Sequence, residues 1–172
     1  MNNITKLLML ISTVVLVIGG GISLYFSLQD NQPIAAIYTG ADGVAIDGFD
    51  AVAYYTSGNR SGGAHKGAPN FQVSWSGSLW YFRNMENQRT FSDEPEKYAP
   101  QYGGYDPFGM ALNGTAQPAT PELWAVVEGK LYLFHSGKSR KLWQENEPEN
   151  RKNADDHWAK VIQQIRYRAQ MK

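Results

Sequence analysis

The sequence predicts an α+β fold: one small antiparallel sheet with covering helices, preceded by a single N-terminal hydrophobic helix. Three observations carry this. Apolar runs at 71–75 and 79–82, and again at 124–127 and 131–134, stand in pairs around short Gly-containing turns, which is how β-hairpins are written. Trp158, Val161, Ile162, Ile165 and Ala169 recur at the spacing of one helical face. Leu7 to Phe26 is apolar except for Ser12, Thr13, Ser23 and three glycines, and it has the length, roughly 20 residues, that a bilayer-spanning helix needs.

The N-terminal run sets the expected location. Lys6 precedes it and Asp30 follows it, which orients the N-terminus inside and the body outside. An uncleaved anchor fits the length of the run; a cleaved signal peptide is the competing reading, because Pro33-Ile34-Ala35-Ala36 offers small residues. The organisation read from this is a membrane anchor or signal segment at 1–30, a linker at 31–43 and a globular domain at 44–172. The domain is expected outside the cytoplasm, in the periplasm if the source has an outer membrane, with the membrane engaged through residues 7–26.

Within the domain, Val52-Ala53-Tyr54-Tyr55-Thr56 is a β-prone run, and the Gly- and Ser-rich stretch 60–70 reads as a loop. Phe71 to Trp75 alternates, Ser76-Gly77 turns and Leu79 to Phe82 returns, giving the first hairpin. Asn84 suits an N-cap for a helix over Met85–Phe91, and Pro95 starts a short helical turn ending near Tyr98. A loop over 113–120 leads to the second hairpin, Ser136 caps a helix through Trp143, and Pro148 opens the last helix, whose apolar face is expected to pack on the sheet. Arg166, Arg168 and Lys172 near its end favour the helix dipole and read as a solvated terminus. No internal repeat and no low-complexity tract stands out along the chain.

Composition excludes several function classes. Lys plus Arg and Asp plus Glu are both 16, so the balance gives no footprint for nucleic acid. There is no cysteine, which removes disulfides, thiolate nucleophiles and Cys-type zinc or iron–sulfur sites. His-Glu-x-x-His, a phosphate-binding glycine loop and a nucleophile elbow are all missing from the sequence.

Trp75-Ser76-Gly77-Ser78-Leu79-Trp80-Tyr81-Phe82, followed by Asn87, Phe91 and Pro95-Glu96-Lys97-Tyr98, resembles the core of the YHS domain family. Gly48 to Tyr55, Tyr98 to Tyr105, Gly129 to Leu133 and Ala154-Asp155 with Trp158 resemble its longer exported bacterial form, over about residues 44 to 161. The resemblance implies a link to metals, since short members carry cysteines and are fused to copper-transporting ATPases. This chain departs from that pattern. Arg83 stands near the hairpin where short members have cysteine, Asp106 replaces the cysteine that commonly follows Gly-Gly-Tyr, and His157 replaces an asparagine before tryptophan. A carboxylate suits harder ions than a thiolate, so a Cu(I) thiolate site is disfavoured.

The candidate metal set is therefore Asp106, His135 and His157, a mixed N/O group suited to a divalent transition metal; without short ligand spacing, hydrogen-bonding roles for the two histidines are the alternative. Asp50, Tyr102, Tyr105 and Trp158 are the candidate ligand-binding residues. The aromatics line a cleft or build the core, with Tyr102 and Tyr105 expected to be exposed by their glycine-flexed turn. Asp50, lodged among apolar residues, reads as a structural carboxylate or an ionisable site residue. The functional expectation is a membrane-anchored extracytoplasmic binding or accessory module for a small ligand or metal ion. Its rivals are a small enzyme using Asp106 and a histidine, and a metal-free protein-interaction domain.

Overall fold

A computed structural model describes residues 34–56 and 63–171. The proposed anchor at 7–26 lies outside the described residues, and no described helix is long and apolar enough to cross a membrane. Both expected hairpins form. Strand β1 (Ala68–Trp75) pairs antiparallel with β2 (Ser78–Phe82), and β3 (Thr120–Val127) with β4 (Lys130–Phe134). They turn through Ser76-Gly77 (φ 50° and 75°) and Glu128-Gly129 (φ 51° and 73°), two left-handed residues in each case, as a type I′ hairpin turn requires. Each hairpin is its own two-stranded sheet, so the single sheet read from the sequence resolves into two.

Among the described residues six α-helices accompany the strands: α1 (Ala53–Thr56), α2 (Met85–Asp93), α3 (Pro95–Tyr98), α4 (Pro107–Asn113), α5 (Gly137–Glu145) and α6 (Glu147–Gln170). Asn84 caps α2 by accepting from the Asn87 amide at 2.8 Å, and Ser136 caps α5 by accepting from the Ser139 amide at 3.1 Å, each satisfying an otherwise orphaned first-turn N–H. The run 52–56 is helical rather than a strand. Asp50 accepts from the amides of Val52 and Ala53, and this cap overrides the β preference of four residues. The apolar face of α6 packs chiefly on α4 rather than on a sheet, because its Val161, Ile165 and Trp158 meet Met110 and Ala111 in one cluster.

Strand β4 divides the core. Leu131 and Leu133 join one buried cluster with Trp80, Phe82, Phe91 and Tyr54. Tyr132 and Phe134 join the other, with Trp143, Met110 and Tyr102. Since successive strand side chains point to opposite faces, a single strand buried on both sides serves as the wall between two half-cores.

Those half-cores are built alike, against the expectation of no repeat. Residue pairs 52 positions apart take the same roles: Ala68 faces Phe82 and Gln72 faces Tyr81 in the first hairpin, while Thr120 faces Phe134 and Trp124 faces Leu133 in the second, with the register slipping at the same place in both. Upstream, Ile46, Asp47 and Gly48 are left-handed (φ 45°, 54°, 72°), as are Tyr102, Gly103 and Gly104 (φ 53°, 63°, 87°). An aromatic residue and an aspartate follow each turn: Phe49-Asp50 and Tyr105-Asp106. The amide of Asp50 donates to the His65 carbonyl and that of Asp106 to the Gln117 carbonyl, both at 2.8 Å. Between 65–93 and 117–145, only Pro69, Gly77, Leu79 and Phe82 recur as identical residues. What repeats is backbone conformation and hydrogen bonding, which a scan for identical letters misses.

Candidate functional site

Each half is held shut by its aspartate. Asp50 is fully buried; Oδ1 accepts from the Val52 (2.9 Å) and Ala53 (3.2 Å) amides, and Oδ2 from the Arg83 amide (2.9 Å) and Asn87 Nδ2 (2.7 Å). Asp106 is 1% exposed; Oδ2 accepts from the Gly109 amide (2.8 Å), and Oδ1 from the His135 amide (3.0 Å) and the Ser139 hydroxyl. In both halves one oxygen caps a short helix while the other ties down the end of a hairpin and the helix behind it. A buried carboxylate needs this many donors to offset its lost hydration.

The opening turn of the second half packs inward, so the expected exposure of Tyr102 and Tyr105 is not found. They are 3% and 7% exposed. A Cβ on Gly103 would lie 2.0 Å from the Ala36 carbonyl oxygen, and the Tyr38 amide donates to the Gly103 carbonyl at 2.8 Å; glycine at left-handed φ lets the chain approach this closely. The structure does unite three of the predicted ligand-binding residues: the Trp158 ring lies 6.3 Å from Tyr102 and 6.2 Å from Tyr105, between centroids. Tyr102 also donates to Asp155 at 2.9 Å. Burial, then the Asp155 charge, holds the Tyr102 phenol far above its ordinary range, and burial raises Tyr105. Tyr102 and Tyr105 are buried, and Trp158 packs half-buried beside them. Asp50, the fourth residue of that set, belongs to the other half.

Of the metal set, Asp106 and His135 share one cleft. Asp106 and His135 line a cleft of about 320 Å³ between the starts of α4 and α5, with Phe108, Leu112, Lys138 and Leu142 among its walls. His157 is not among the lining residues; it sits half-buried on α6, its Nδ1 2.9 Å from the Met110 carbonyl. The Nδ1 of His135 is likewise 2.9 Å from the Pro118 carbonyl. Each carbonyl can only accept, so Nδ1 is the donor in both contacts. Both Asp106 oxygens are already taken, and among the described residues no group of three or more His, Asp or Glu is arranged to hold a metal. The donor set therefore does not fit an ion bound by all three residues.

The apolar cleft walls were not marked by the sequence. A signal was present: Asp106 followed by Pro107 is an N-cap followed by proline at the first helical position, and it announces α4, whose exposed Leu112 (69%) forms part of the wall. Larger open clefts, of about 500 Å³ along Asp42, Lys66 and Glu122 and about 440 Å³ along Trp124, Arg140 and Gln144, contain none of the residues singled out by the sequence. The chain matches no family model, no curated protein and no solved structure.

Proposed function

We propose that the folded unit is a non-catalytic, YHS-like binding module held outside the cytoplasm by a membrane anchor at 7–26, and that its ligand site is the cleft between α4 and α5. The observation that carries this is the division of labour there. Asp106, the group an acid–base or metal mechanism would need, is spent on the scaffold. Phe108, Leu112 and Leu142 present apolar surface, with the exposed Lys138 and His135 at the cleft. Apolar walls with a few orienting polar groups suit a small ligand, here one with an apolar body and an anionic end.

The test is an amide-shift titration of the protein with benzoate and hexanoate. Saturable shifts at Gly109 and Ser139, abolished by Leu112→Asp and weakened by Lys138→Glu, support the site; unsaturable or scattered shifts for both probes sink it. A divalent transition metal is the second reading, favoured by the Nδ1–carbonyl contacts of His135 and His157, since ligating imidazoles commonly give their other N–H to a backbone carbonyl. Zinc that binds stoichiometrically and is lost in His135→Ala or His157→Ala would put that reading ahead.

A further inference from the structure

We infer that the last two turns of α6 form a docking surface for an anionic bilayer. The charge distribution is the first ground. In a sequence of zero formal net charge, residues 157–172 carry Lys160, Arg166, Arg168 and Lys172 and no acidic side chain, so this segment is purely basic. The second ground is shape. Val161 is the last buried residue of α6, yet the helix continues to Gln170. On this extension Tyr167 and Met171 are 64% and 73% exposed, and Arg166 and Arg168 are exposed beside them. Arginines that meet lipid phosphates and a tyrosine whose ring sits at headgroup level are the chemistry of an interfacial helix end.

The inference rests on the membrane-anchor reading: an apolar run at 7–26 seated in a bilayer tethers the domain to it, and a tether makes even a weak contact effective. The arginines do more than complement the helix dipole: they hold the domain against the surface in one orientation.

The chain has no cysteine, so Gln170→Cys provides a single spin-labelling site in the full chain. The labelled protein is placed in vesicles of phosphatidylcholine alone or mixed with phosphatidylglycerol, and access of a water-soluble nickel chelate to the label is measured. The expected result is a several-fold loss of access on the anionic vesicles, reversed by high salt. Each arginine near such a surface contributes about fivefold in partitioning, so Arg166→Gln with Arg168→Gln should restore access. Equal access on both vesicle types overturns the inference. Flotation with neutral vesicles tests the anchor separately. If the chain fails to float there, the anchor reading falls, while salt-sensitive flotation on anionic vesicles still upholds the docking surface and failure on both refutes it.

Discussion

Replacing Asp106 by alanine separates a scaffold role from a site role. The substitution removes the acceptor of the Gly109 and His135 amides and of the Ser139 hydroxyl in a side chain that is 1% exposed. Each donor left without a partner costs about 1–3 kcal/mol, so with some rescue by water and by rotation of Ser139 the loss should be about 3–5 kcal/mol. For a unit of this size that corresponds to roughly 10 °C or more in melting temperature, at about 3 °C per kcal/mol. Asp106→Asn keeps one acceptor oxygen and should cost about half as much. The equivalent Asp50→Ala removes the acceptor of the Val52 and Arg83 amides and of Asn87 Nδ2, while the Ala53 amide keeps the Asp50 backbone carbonyl at 3.2 Å, and it should cost about as much as Asp106→Ala. Asp156→Ala, which breaks only an exposed 3.1 Å pair with Lys152, should fall within about 0.5 kcal/mol of the parent. Urea and thermal unfolding followed by circular dichroism measure all four. A residue kept for a ligand or a reaction is commonly neutral or costly to stability. An Asp106→Ala protein as stable as the parent, or more so, would refute the pin and return Asp106 to the list of functional groups.

Three further outcomes follow from the same geometry. Gly103→Ala should destabilise by about 3 kcal/mol or more, because its Cβ meets the Ala36 carbonyl at 2.0 Å, whereas Gly129→Ala, with equal left-handed strain but open space, should cost only about 1 kcal/mol; urea midpoints compare them. Trp143 and Trp80 are equally buried, but among the described residues Trp143 Nε1 has no hydrogen-bond partner while Trp80 Nε1 donates to the Trp75 carbonyl at 3.1 Å. Trp143→Phe, which installs the residue found at the equivalent Phe91, should therefore cost about 1 kcal/mol less than Trp80→Phe in the same assay. On the alkaline side, stability should hold from about pH 8 to pH 9 and fall above pH 10. The unfolded chain ionises its tyrosines near 10, whereas burial raises the phenols of Tyr54, Tyr102 and Tyr132 in the folded state and pushes that of Tyr55 up to about 12. Groups raised on folding contribute below the unfolded value and lose that contribution as pH climbs through the folded one. A urea midpoint unchanged between pH 9 and pH 11 would contradict the burial of these rings.

The hairpins, the caps at Asn84 and Ser136, and the long final helix were legible in the sequence because their causes are local: alternating side chains, turn residues that accept left-handed φ, and a polar side chain placed to meet an amide three positions on. Only the tertiary structure decided what lies between them. It made a helix of the β-prone run 52–56, because Asp50 reaches both the start of that helix and, 33 positions on, Arg83. It buried Tyr102 and Tyr105 because a left-handed turn packs against Ala36 and Tyr38, contacts no residue pattern announces. Above all, it showed Asp106 and Asp50 to be counterparts in two halves that share almost no letters. A hydrogen bond is made by backbone geometry at the donor and by one oxygen at the acceptor, so arginine and histidine serve equally at the strand end, and asparagine and serine behind it. The sequence determined which segments would fold locally; long-range hydrogen bonding to two buried carboxylates decided how they close.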